Sequence, residues 1–119
     1  MENFFVRYGQ AFVDQDFDVI EGCFAYPCML TNDGGTDLIC DRDDLEQHLT
    51  HFLTTLRARE PSRAAPTILD DRAYGDGNRV VSVQWRLFDK ADQIESEWGY
   101  LYVLIGGDGA WKISLANPV

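Results

Sequence analysis

Three side chains in this sequence could move a proton beside a small bound molecule: Tyr8, Asp33 and His48. A phenol donates a hydrogen bond to a ligand carbonyl, and a carboxylate or imidazole takes a proton from a neighbouring carbon or oxygen. Each also has an ordinary structural use. Tyr8 shares a helical stripe with Phe5 and Phe12, where a phenol packs and its hydroxyl finds a backbone or water partner. Asp33 precedes Gly34-Gly35 and suits a turn; it serves as a base only where apolar surroundings raise its pKa. His48 and His51 flank an apolar helix stripe, and His48, one turn from both Asp44 and Phe52, is the better placed for a pocket. Asp37, Asp70 and Asp71 fall near the same rim, in a chain acidic enough that most carboxylates are simply solvated.

Other chemistries lack their residues. No HExxH accompanies the histidines, and Cys23, Cys28 and Cys40 form an odd set without CxxC spacing. Neither a metal site nor a disulfide framework is expected, and reduced, mostly buried thiols fit a cytoplasmic protein. Gly106-Gly107-Asp108-Gly109 joins two strands with no following GK(S/T), so it reads as a hairpin turn rather than a phosphate loop. No GxSxG motif occurs, and no Cys–His pair has supporting context, leaving nucleophilic catalysis unsupported. No cofactor is implied.

The elements that must position these groups come from one domain, residues 1–119, since 119 residues leave little room for two. With 45% hydrophobic and 13% aromatic residues the chain can build a core. A formal charge of −10, from 10 Lys+Arg against 20 Asp+Glu, repels phosphate backbones and anionic membranes, so neither nucleic acid nor membrane is an expected partner. The strongly apolar run from Trp98 to Ile105 is far shorter than the ~20 residues of a spanning helix. The first residues show no basic n-region or long apolar stretch, which reads as no signal peptide.

Helical spacing of Phe4, Phe5, Tyr8, Ala11 and Phe12 predicts a first helix over Asn3 to Asp14. Asp16 caps a short second helix, Phe17 to Phe24, which Pro27 ends. Cys28 to Thr31 and Thr36 to Cys40 form a hairpin. Asp41 caps a long helix whose buried face is Leu45, Leu49, Phe52, Leu53 and Leu56. Glu60 to Pro66 reads as a connector. Extended runs follow at Thr67 to Tyr74, Arg79 to Phe88, Ile94 to Ile105 and Trp111 to Leu115. Trp85, Trp111, Ile113 and Leu115 fit inward positions, and Trp98, Tyr100 and Tyr102 share one strand face. Helices followed by an antiparallel meander predict an α+β fold with the helices on one side of a curved sheet.

This order of elements is similar to that of the nuclear transport factor 2-like superfamily, especially its SnoaL-like and ketosteroid-isomerase-like branches. The resemblance covers nearly the whole chain. It rests most on the stretch from Arg7-Tyr8 through Asp16-Phe17-Asp18 to Phe24, and on the terminal Trp111-Lys112-Ile113 strand. It implies a cone: a bent, mostly antiparallel sheet wrapped around a long helix, with two further N-terminal helices and an apolar pocket. It also implies a homodimer through the outer sheet face, which Arg86 and Gln84 would suit. Ketosteroid isomerases use a first-helix Tyr, an Asp base and a protonated late-strand Asp. Tyr8 matches the first, the base falls on Asn32 beside Asp33, and the late-strand position falls near Leu101, which cannot donate. That isomerase mechanism is therefore not expected. The resemblance implies a domain binding a small hydrophobic organic molecule; Phe12, Phe52, Trp85, Trp98, Tyr100 and Trp111 are the candidate contacts, the strand aromatics fitting either a pocket on the concave sheet face or a dimer patch on the outer one. Two alternatives are an acid–base isomerase, dehydratase or cyclase using Tyr8 with Asp33 or His48, and a dimeric protein-interaction module.

Overall fold

In the computed structural model, which describes every residue except Asp33, Asp108 and Gly109, the chain begins with helices α1 (Glu2–Val13) and α2 (Phe17–Gly22). The hairpin β1 (Phe24–Asn32) and β2 (Gly35–Ile39) leads into helix α3 (Arg42–Arg59). Strands β3 (Arg63–Ala73), β4 (Asn78–Phe88), β5 (Ile94–Gly107) and β6 (Ala110–Pro118) complete it. The fold is α+β, with one curved sheet in the order β2-β1-β6-β5-β4-β3. Every adjacent pair is antiparallel except β1 with β6, which run parallel. Register shifts occur in four of those pairings and let the sheet bend. Among the described residues, no helix is long and apolar enough to cross a membrane.

Local chemistry accounts for the helices. Asp16 Oδ1 accepts from Val19 N at 3.3 Å, capping α2. Asp41 Oδ1 accepts from Asp44 N at 2.9 Å, while Asp44 Oδ2 accepts from Cys40 N at 2.9 Å, so the start of α3 is tied from both directions. Arg42 pairs with both Asp18 and Glu21, fastening that end of α3 to α2. The α3 helix ends at Glu60 in the left-handed region.

Tertiary pairing shifts three of the sequence boundaries. The second helix stops at Gly22 because Phe24 pairs with Ile113 of β6, and Ile113 N donates to Cys23 O at 2.7 Å. Pro27 thus lies inside β1 rather than after a helix. It is tolerated where the ladder is interrupted, since pairing to β2 begins at Cys28 and the register to β6 breaks between Phe24 and Met29. The stretch expected as a connector is largely strand: β3 begins at Arg63 and includes Pro66, which an edge strand accommodates. In β6, the register jumps between Ile113 and Leu115, so Ala116 rather than Leu115 is the next buried residue.

The core joins α1, α2 and the first turns of α3 to the inner sheet face. Phe5, Ile20, Leu45, Val81, Val83, Leu104 and Ile113 are fully buried. Phe5 packs on Tyr102 with ring centroids 4.9 Å apart and edge-on to Trp85. Each such side chain contributes about 1.5–3 kcal/mol by leaving water.

Candidate functional site

A cavity of about 750 Å³ lies between α1, α3 and the inner face of the sheet. That volume falls within the range of about 300–1,000 Å³ common to small-molecule sites. From α1 come Tyr8, Gly9, Phe12 and Val13; from α3 come His48, Leu49, His51, Phe52, Leu56 and Arg59. The sheet supplies Trp85 and Leu87 from β4, Trp98, Tyr100 and Tyr102 from β5, and Ala116 and Pro118 from β6. Phe24, Leu30, Thr31 and Asn32 of β1, Asp37 of β2 and Ala64 of β3 complete the lining.

The wall is mostly apolar, and its aromatic rings hold one another. Tyr8 meets Phe12 edge-on at 5.0 Å, and Phe12 meets Phe52 edge-on at 5.7 Å, linking α1 to α3 across the opening. Tyr100 and Tyr102 stack at 5.5 Å. Phe52 is 43% exposed although it is apolar, so α3 leaves a phenyl ring between the cavity and solvent. Trp85 Nε1 donates to Tyr102 Oη at 2.9 Å. Burial holds the Tyr102 phenol well above its ordinary pKa, opposed by that hydrogen bond, so the phenol stays neutral.

Tyr8 has an unusual environment. It is buried, yet among the described residues nothing hydrogen-bonds to its hydroxyl. No sealed side-chain polar atom lacks a partner in the described structure, so this hydroxyl opens onto the cavity. Burial first, and Tyr102 second, push its pKa well above the ordinary value. Tyr8 therefore presents a neutral hydroxyl to whatever occupies the cavity.

The polar positions cluster toward β1, β2 and α3. His48 Nδ1 lies 2.9 Å from Asp37 Oδ2. Thr31 Oγ1 hydrogen-bonds to Asn117 Oδ1, joining β1 to β6 beside the cavity. At the far end of α3, Arg59 Nε meets Glu95 Oε1 at 2.8 Å. Among the described residues, no group of three or more His, Cys, Asp or Glu is arranged to hold a metal ion.

Of the residues singled out from the sequence, Tyr8, His48, Phe12, Phe52, Trp85, Trp98 and Tyr100 all line this one cavity. Asp33 lies outside the described residues, although its neighbour Asn32 is in the lining. Trp111 does not line the cavity. It sits opposite Gly106 of β5, with the Arg79 guanidinium 5.8 Å from its ring. Asp70 and Asp71 are also elsewhere, paired with Arg72 and Arg79. Leu101 pairs with Ser82 and Asn117 on the opposite sheet face, leaving Tyr100 and Tyr102 as the inward groups. Arg59, not among the residues singled out from the sequence, also lines the cavity; its position along the face of His48, Phe52 and Leu56 is the signal for it.

The aromatic cone, with its cavity between sheet and long helix, defines a class of fold, and the sequence agrees. Residues 1–119 match the family described as NTF2-like protein (DUF6841), and the chain belongs to that family. Among curated proteins none matches. Similar solved structures include a protein of unknown function from Mycobacterium tuberculosis, 22% identical with a TM-score of 0.73, covering 98% of this chain and 67% of that one. A domain of unknown function with a cystatin-like fold from Nostoc punctiforme is 14% identical with a TM-score of 0.74, covering 99% and 73%. A putative ketosteroid isomerase from Shewanella frigidimarina is 16% identical with a TM-score of 0.66, covering 98% and 92%. At these identities the likeness is one of fold.

Proposed function

We propose that this protein binds a small, largely apolar organic molecule in the cavity between α1, α3 and the sheet. The observation that carries this reading is the hydroxyl of the buried residue Tyr8, unpartnered among the described residues and open to an apolar-walled space of about 750 Å³. A molecule that covers the rings and accepts from or donates to that hydroxyl satisfies both features. Native mass spectrometry of gently purified protein should reveal a retained organic mass, and naphthalene-sized probes should change the fluorescence of Trp85 and Trp98. A Leu49→Trp substitution, filling the cavity from α3, should abolish both effects while helicity is retained. Absence of binding by any apolar probe, with the protein folded, would reject the proposal.

A second reading, an acid–base enzyme acting on such a molecule, is favoured by one feature: His48 in the cavity wall has a carboxylate on its Nδ1. An isomerase, dehydratase or cyclase of this type would exchange a ligand C–H with deuterated solvent, and His48→Gln would stop the exchange. The outer sheet face suits a homodimer, because Met29, Leu115, Val103 and Val80 form a row across β1, β6, β5 and β4. Sedimentation should give twice the chain mass, and Val103→Asp should return it to the single-chain value.

A further inference from the structure

The cavity's polar end is asymmetric in its hydrogen-bonding capacity. Asp37 Oδ2 can only accept at its 2.9 Å contact, so the His48 Nδ1 carries the proton and donates. In the neutral imidazole this fixes the tautomer and leaves Nε2 as a lone-pair acceptor. The His48 side chain is 18% exposed and that of Asp37 is 57% exposed, so the imidazole is the more sheltered of the pair. Both residues line the cavity, and both also line a smaller recess between β2 and α3. No described residue donates to Nε2. The guanidinium that could supply a donor, Arg59, is engaged by Glu95 at the opposite end of α3.

We infer that the Asp37–His48 pair is an acceptor site that selects apolar ligands carrying a hydroxyl group of the phenol or enol class. This rests on the reading that the cavity takes an apolar molecule. It adds which group that molecule presents and where. A ligand hydroxyl directed at β2 and α3 donates to His48 Nε2, and the carboxylate behind Nδ1 strengthens the acceptor. A ligand of the same shape without that proton leaves the imidazole lone pair desolvated and unmatched, so discrimination comes from the cost of the missing bond. Tyr8, whose hydroxyl can also donate, does not impose this choice; the imidazole with its fixed tautomer does.

The test is calorimetric titration of the full chain with 2-naphthol and with 2-methoxynaphthalene, two probes of similar shape that differ in the donor. The wild-type protein should bind 2-naphthol about tenfold more tightly. His48→Phe should bring the two dissociation constants together, chiefly by tightening the binding of 2-methoxynaphthalene, which no longer strands an imidazole lone pair. Asp37→Asn, which releases the tautomer without emptying the site, should narrow the ratio as well, and circular dichroism should show both variants folded. Equal affinities in the wild type, or a ratio that survives both substitutions, would overturn the acceptor site and leave the cavity reading intact. If neither probe binds, the cavity reading fails and the acceptor site with it.

Discussion

Trp85 Nε1 and Tyr102 Oη are joined by a 2.9 Å hydrogen bond inside the cavity wall, although the two residues are not cross-strand partners. Trp85 pairs with Trp98, and Tyr102 pairs with Val81, so the bond runs diagonally across β4 and β5. Both side chains are 3% exposed. Tyr102→Phe keeps the ring and removes the acceptor, leaving an indole N–H buried among aromatics. The expected loss is about 1–3 kcal/mol of unfolding free energy, read from the midpoint of urea denaturation. An unchanged midpoint would mean that water in the cavity replaces the phenol oxygen.

The same indole sets the approach of α1. A Cβ at Gly9 would stand 2.6 Å from Trp85 Cζ3 and 3.0 Å from its Cη2. Alanine improves helix propensity by about 1 kcal/mol, but overpacking a fixed ring costs about 1–3 kcal/mol. Because Trp85 is held by Tyr102, it cannot swing aside, and Gly9→Ala is expected to lower the melting temperature. Gly22→Ala in α2, where nothing lies within 4 Å, should be neutral or stabilising. A melting temperature that rises in both variants would contradict the close contact of α1 with β4.

What the sequence makes legible follows the range of the interactions involved. The α3 helix is readable because Asp41, its cap, and Leu45 to Leu56, its apolar face, are local signals. The alternation of Val81, Val83, Trp85 and Leu87 with polar residues marks β4, and all four are buried. Phe24 is different: its spacing suits a helix, and only Ile113 at the other end of the chain makes it a strand residue. The inward position of Ala116 depends on an irregularity in β6 that no periodicity announces. In the candidate site, the aromatic face of β5 was visible as a face but not as the concave one. Asp37 was visible as a rim carboxylate, yet its pairing with His48 needs the β1–β2 hairpin folded back beside α3, where Asp37 opposes Leu30.

The three thiols should separate sharply in reactivity. Cys40 is exposed, whereas Cys23 and Cys28 are each 1% exposed. Burial raises the Cys23 thiol, and burial together with Cys40 pushes Cys28 up to about 11. Since the thiolate is the nucleophile, iodoacetamide at mildly alkaline pH should label Cys40 and spare the other two. Peptide mapping of briefly treated protein measures this. Labelling of Cys28 at the rate of Cys40 would show that the β1–β2 hairpin, in which Cys28 opposes Ile39, opens readily in the native state.

Alkaline pH should destabilise the fold through its tyrosines. Burial, then the charge and hydrogen bond of Glu21, push Tyr26 up to about 12; Tyr8 and Tyr102 are raised chiefly by burial. In the unfolded chain these phenols titrate near 10. Below that value they are neutral in both states and contribute no slope. Above it the unfolded chain releases protons that the folded chain retains, so folding stability falls as pH rises. For Tyr26 the loss runs from about 10 to about 12; for Tyr8 and Tyr102 it continues higher. The raised thiols Cys23 and Cys28 add a slope of the same sign from about pH 8.5. Urea midpoints should therefore decline steadily from pH 9 to 11, and less steeply in Tyr26→Phe, which removes one titrating group. A midpoint that is flat or rising across that range would contradict the burial of these phenols.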